Sequence, residues 1–244
     1  FVRTNPRKMK PALIIGHAGH ELRVLKFIEL FKPMVFIITD GTGSTNVSRK
    51  ESTRKILEHY ECNISNVFCN YTDKEIYEHI LSGNTKIFYE LKEKIRKEIL
   101  KKDIDFIFGD ACEGFNPTHD LCRYIINSII ETYAERLPDW GIKNYDFLLD
   151  NSPCFGSGSF PNITLQLSDE DKCNRDKLIA GYPEIKREIE FAKQKFGVAD
   201  FDYECLREVK NHDLKTWATT KPFYESYAEK KVAEGTYKDI ITFN

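Results

Sequence analysis

No apolar run in this chain is long enough to cross a bilayer. The longest, Ala12–Ile15 and Met34–Ile38, fall far short of the roughly 20 residues that a membrane helix needs. No Cys-x-x-Cys pair occurs, and the cysteines number seven, an odd count. That argues against a disulfide scaffold and for a reduced, cytoplasmic protein. No excess of one charge exists either: 36 Lys and Arg face 38 Asp and Glu. A nucleic-acid partner is therefore not expected, and neither is a membrane surface. The one Gly/Ser/Pro-rich stretch, Asn151–Pro161, lacks the Gly-Lys-Ser/Thr of a phosphate-binding loop. Its plainer reading is a connection, its bolder one a lid. The basic start, Phe1–Lys10, is followed by no apolar stretch of signal-peptide length, so no secretory signal is expected. The Asn-x-Ser/Thr triplets at Asn46, Asn63, Asn70 and Asn162 then read as chance. Internal repeats and low-complexity tracts are absent.

What the sequence does have is enough apolar residue, 41% of 244, for a sizeable core. Strand-like runs alternate with helix-like runs. Strands are expected at Ala12–Ile15, Met34–Thr39, Asn66–Asn70 and Asp105–Phe108. Helices are expected at Glu21–Phe31, from a Ser48/Glu51 capping box to about Tyr60, after a Thr72/Glu75 box, at Thr85–Lys101 and at His119–Tyr133. Such alternation implies a Rossmann-like α/β fold, a parallel sheet with helices on both faces. The first, second and last of these strands should end on one edge. One domain is expected, with a core at about 11–150 and a helical C-terminal extension at about 151–244. Helices there are read at Asp169–Phe196 and roughly Asp202–Lys210.

The chemistry-bearing residues sit at strand ends, where open α/β sheets bind ligands. After Ala12–Ile15 come Gly16, His17, His20 and Glu21. After Asp105–Phe108 come Asp110, Cys112, Glu113, Asn116, His119 and Asp120. Three imidazoles at two strand ends suit an open metal site. A lone histidine is more often a satisfied core or surface group, and His59, His79 and His212 are read that way. Acidic residues at a helix start commonly complement its dipole, which accounts for Asp120. Cys112 beside His119 could be a nucleophile, but a small buried apolar group is the plainer reading.

These motifs resemble those of the LmbE-like, or PIG-L, superfamily of metal-dependent N-deacetylases. His17-Ala18-Gly19-His20-Glu21 stands where that family has His-Pro-Asp-Asp-Glu. Ile37-Ile38-Thr39-Asp40-Gly41 resembles its Thr-Asp-Gly turn, and Arg49 with Glu51 its Arg/Glu-bearing helix. Gly114-Phe115-Asn116-Pro117-Thr118-His119 resembles its Gly followed by His-Pro-Asp-His. Lys177–Tyr182 and Tyr203–Arg207 are similar to C-terminal parts of the family. The resemblance implies metal ligands at His17, His20 and His119. The chain departs from the pattern in three places. His20 replaces a carboxylate ligand, Gly19 replaces the general base, and Asn116 replaces an oxyanion-stabilising histidine.

The expected activity is metal-dependent hydrolysis of a linear amide, deacetylase-like, on a sugar-like or other small polar substrate. Zinc is the first expectation for the ion and iron the alternative. Asp110 is the expected base, Glu113 the next choice, and Glu21 a carboxylate that orients a ligand histidine. Asn116 is the expected oxyanion donor, with Asp40 and Arg49 lining the substrate site. A bland reading stands beside each: Asp40 as a turn former, Arg49 as a surface ion pair. Two other functions compete: a non-catalytic metal- or ligand-binding protein, and an iron-dependent reaction at the same three histidines. Homo-oligomerisation is left open.

Overall fold

The structure, a computed structural model, describes residues 9–136, 141–155, 162–209 and 221–243. Seven strands among them form one sheet: β1 (Pro11–His17), β2 (Met34–Thr39), β3 (Asn63–Tyr71), β4 (Phe106–Asp110), β5 (Lys143–Phe147), β6 (Asn162–Gln166) and β7 (Tyr203–Glu208). Their order is β3-β2-β1-β4-β5-β7-β6. The first five are parallel; β7 runs antiparallel to both its neighbours. Eight α-helices are described: α1 (Leu25–Phe31), α2 (Lys50–His59), α3 (Asp73–Leu81), α4 (Thr85–Lys102), α5 (Pro117–Arg136), α6 (Asp169–Ala180), α7 (Lys186–Phe196) and α8 (Phe223–Ala233). None is long and apolar enough to cross a membrane.

The central strands are continuous apolar runs because helices cover both of their faces. Side chains alternate across a strand, so each run feeds two cores. Ala12, Ile14, Phe36 and Ile38 pack with Ile76, Leu91, Ile95, Ile99 and Ile126 on one face. Leu13, Ile15, Val35 and Ile37 pack with Phe27, Ile28 and Leu57 on the other. Position 109 of β4 has no room for a side chain: a Cβ there would lie 2.1 Å from the Ile14 carbonyl oxygen on β1 and 2.7 Å from Ile126 of α5.

The strand order reverses at β1, whose neighbours are β2 and β4. Parallel pairing puts the C-terminal ends of all three on one edge, as the strand–helix alternation requires. The two histidine-bearing segments therefore leave the sheet side by side, across its switch point.

Several local expectations are corrected. Glu21–Phe31 is a 3-10 turn, His20–Arg23, followed by α1. The Thr72/Glu75 capping box forms, but the Ser48/Glu51 box does not. Arg49 occupies the N-cap of α2 without a side-chain bond, because Arg49 N–H is drawn to the Asp40 carbonyl. Asp169–Phe196 breaks at Gly181-Tyr182-Pro183 into α6 and α7, since proline disfavours helix at the residue before it. The C-terminal part carries helices, but it also adds β6 and β7 to the sheet. Asp202–Lys210, read as a helix, is largely β7. It is held there because Glu204 caps α1 from a distance, accepting Lys26 N–H at 2.9 Å and Phe27 N–H at 3.1 Å. His212 and residues 156–161 of the Asn151–Pro161 loop lie outside the described residues.

Candidate metal centre

β1 ends at His17, and its last register partner on β2 is Thr39. Gly19, at φ 109°, turns the chain so that His20 comes back over the strand end. On the other side β4 ends at Asp110, and α5 starts at Pro117, with His119 in its first turn. Asn116 fixes that start by accepting Thr118 N–H at 2.8 Å, an ordinary N-cap arrangement.

The three imidazoles converge. Ring centroids are 5.0 Å apart for His17–His20, 4.9 Å for His17–His119 and 4.5 Å for His20–His119. One nitrogen from each lies within 4.8 Å of the others, and this is the one such metal-competent group among the described residues. His17 and His119 are buried. Their Nε2 and Nδ1 atoms, respectively, are buried without a hydrogen-bond partner. Buried polar atoms are rarely left so, because the lost hydration is not recovered. An imidazole nitrogen aimed at an ion is one resolution, and this donor set fits a divalent metal.

Carboxylates hold two of the rings from behind. His17 Nδ1 is 2.6 Å from Asp73 Oδ1 and 2.6 Å from Thr39 Oγ1. The Thr39 hydroxyl also reaches Asp73 Oδ1, at 2.5 Å. His20 Nδ1 is 2.9 Å from Asp110 Oδ2, which also accepts Gly16 N–H at 2.7 Å. A carboxylate on one imidazole nitrogen fixes the tautomer and aims the other nitrogen, the usual support of a metal-ligating histidine. Burial, then the neighbouring His17 ring and Arg49, lower His20's proton affinity. Burial and the other two rings do the same for His119. Both rings are thereby biased toward the neutral form, the one in which an imidazole can bind a metal. Burial alone would raise Asp73. The His17 ring beside it and the hydrogen bonds from His17, Thr39 and Gly43 outweigh it and hold the carboxyl well below the usual range.

Asp73 is the residue that sequence reasoning missed. It lies inside the Thr72/Glu75 capping box, in the first turn of α3, where an acidic residue is ordinary. Nothing local marked it as a partner of a histidine 56 positions earlier.

The other expected site residues have local employment. Asp110 is fully buried, with Oδ2 on His20 Nδ1 and Gly16 N–H and with Oδ1 unpartnered. Glu113 accepts Leu149 N–H at 2.6 Å, Asp150 N–H at 3.0 Å and the Asn151 amide at 2.8 Å; it fastens that loop. The Asn116 amide donates to Tyr77 OH at 3.0 Å. Glu21 accepts Gly19 N–H and the Thr53 hydroxyl, each at 2.7 Å, and does not orient a ring. Asp40 Oδ1 accepts Thr42 N–H and its hydroxyl, so it forms the turn. Arg49 is buried and donates to Glu188 of α7, while its Nε has no partner. Cys112 donates to Tyr124 OH, and burial raises its thiol well above the usual range, against a nucleophilic role. His59 and His79 lie outside the cluster.

Gly19 stands where the resemblance implies a base. A Cβ there would meet Ile185 at 2.6 Å, with Arg49 Nη1 and Tyr182 OH each at 3.4 Å. The C-terminal segment thus fills the space that a carboxylate would need.

The fold is one that solved deacetylases share. No family model matches the sequence, and no curated protein does. By structure the chain is similar to the teicoplanin-pathway deacetylase, with a TM-score of 0.54 and 11% identity over 83% of this chain and 100% of that one. The zinc-inhibited form of teicoplanin deacetylase gives 0.54 and 10% identity, with the same coverage. The A40926 pseudoaglycone deacetylase gives 0.50 and 11% identity, over 84% of this chain and 99% of that one. At such identities the likeness is one of fold.

Proposed function

We propose that this chain is a metal-dependent hydrolase that cleaves a linear amide, deacetylase-like, on a small polar or sugar-like substrate. The observation that carries the reading is the convergence of His17, His20 and His119, with unpartnered buried nitrogens on two of them. The similarity in fold to solved deacetylases supports it. The three histidines would hold the ion, zinc by the nitrogen-only donor set and iron as the alternative. When bound, such an ion polarises a carbonyl and activates water at neutral pH.

The chain's own residues do the rest. Asp73 and Asp110 hold the rings of His17 and His20 in orientation. Ile185 and Tyr182 exclude solvent from the side of Gly19. Arg49 brings fixed positive charge near His20, where a polarised oxygen would be favoured. Asn116 would serve as an oxyanion donor by releasing Tyr77. With no carboxylate at position 19, the reaction forgoes general-base help worth roughly 10²–10⁴-fold.

That same glycine favours a second reading, a metal-binding protein without turnover. One experiment separates the two: metal content of the purified protein by mass spectrometry, with acetate release from N-acetylglucosamine. Bound zinc or iron with release that His17→Ala abolishes supports the hydrolase. Bound metal without release from any N-acyl substrate supports the second reading. No bound metal refutes both.

A further inference from the structure

A row of exposed aromatic rings starts at the histidine cluster and leads away from it. Phe115 sits four residues before His119, with ring centroids 6.5 Å apart. Phe223, at the start of α8, stacks on Phe115 at 5.2 Å with the planes only 5° from parallel. Tyr227, one turn further along α8, is 5.8 Å from Phe223. Tyr237, just beyond the helix, is 6.3 Å from Tyr227. The four rings are exposed by 37%, 53%, 42% and 45%. The row is fixed in place: Tyr224 N–H donates to the Gly114 carbonyl at 3.2 Å, tying α8 to the loop that delivers His119.

Burying these rings would have been favourable, at roughly 25 cal/mol per Å² of apolar surface. A contiguous exposed patch beside a site therefore marks something that covers it. Its chemistry narrows the occupant. The row itself contains no aliphatic side chain, so it offers flat faces rather than the groove an acyl chain would fill. Its rims are polar. Tyr227 and Tyr237 carry hydroxyls, Lys231 lies 5.5 Å from the Tyr227 ring, and Lys195 lies 5.8 Å from that of Phe115. A flat apolar face with hydrogen-bonding groups at its edge complements a pyranose ring, which has C–H groups on its faces and hydroxyls around its rim.

We propose that Phe115, Phe223, Tyr227 and Tyr237 form a saccharide subsite that takes the sugar units beyond the one presented to the histidines. The proposal builds on the hydrolase reading and makes its substrate an N-acylated oligosaccharide rather than a single sugar.

The test is calorimetric titration of the full chain with N-acetylglucosamine, its trimer triacetylchitotriose and an N-octanoyl amide. The trimer should bind about tenfold more tightly than the monosaccharide, the worth of one or two aromatic stacks. Phe223→Ala and Tyr227→Ala should each remove most of that advantage. Tyr89→Ala, an exposed ring on α4, should leave it intact. His17→Ala should keep the trimer preference, so the subsite is read without turnover. Failure of hydrolysis with the preference intact refutes the enzyme and leaves the subsite. Equal binding of monomer and trimer refutes the subsite, and so does a preference that survives both α8 substitutions. Binding of the octanoyl chain alone also refutes it, in favour of an acyl groove.

Discussion

Replacing Asp73 with asparagine should weaken zinc binding without unfolding the protein. Asp73 Oδ1 meets His17 Nδ1 at 2.6 Å, and Oδ2 accepts Gly43 N–H at 2.6 Å. Both side chains are almost fully shielded, at 7% exposure each, so solvent screens the interaction little. Asparagine keeps one acceptor, loses the charge, and must present an N–H to one of the two partners. Carboxylates behind a metal-ligating histidine are typically worth 10–100-fold in affinity, about 1.4–2.7 kcal/mol. The assay is competition with a zinc-binding dye, with far-UV circular dichroism as the check on folding. Asp110→Asn should act similarly through His20. If Asp73→Asn binds zinc as well as the parent while His17→Ala binds none, the orienting role is wrong. If His17→Ala also binds normally, the centre itself is wrong.

The remaining expectations concern the ligands, the glycine and the buried acids. His17→Ala should strip the metal and leave the apo fold, read as metal content and a near-parental circular dichroism spectrum. Gly19→Asp should not restore a base. Its φ of 109° and the 2.6 Å approach to Ile185 should cost roughly 1–3 kcal/mol, seen as a lower Tm with no gain in turnover. Burial raises Glu204 to about 7, from an ordinary 4.5. The folded state thus binds its proton more tightly than the unfolded chain. That share of stability is complete below pH 4.5 and is lost as pH rises through 7. It amounts to about 3 kcal/mol at about 1.4 kcal/mol per pKa unit. Urea unfolding at pH 5 and pH 8 should therefore show Glu204→Gln gaining on the parent at the higher pH; a gap that does not change with pH would refute this.

The sequence by itself determined the centre of the sheet. Ala12–Ile15 is apolar throughout and Met34–Thr39 at every position but the last, as in strands covered on both faces. The Ala12–Ile15 end leads to His17 and His20 and the Phe106–Phe108 end to His119, so parallel pairing alone was enough to gather the three histidines. The strands beyond β4 were not legible. Lys143–Phe147 is half-exposed and polar, and Tyr203–Glu208 has only Cys205 and Leu206 as an apolar pair, flanked by charged residues. The pairing of β7 with β5 and β6 and the capping of α1 by Glu204 are tertiary choices, made by partners distant in the chain. The same holds within the site. Asp73 reaches His17 only because β3 delivers the start of α3 beside β2, and Ile185 closes over Gly19 only because the C-terminal helices fold back. Strand periodicity and strand-end residues are local and can be read along the chain. The carboxylate behind a ligand and the side chain that fills a vacated corner depend on which distant elements the packed core brings together.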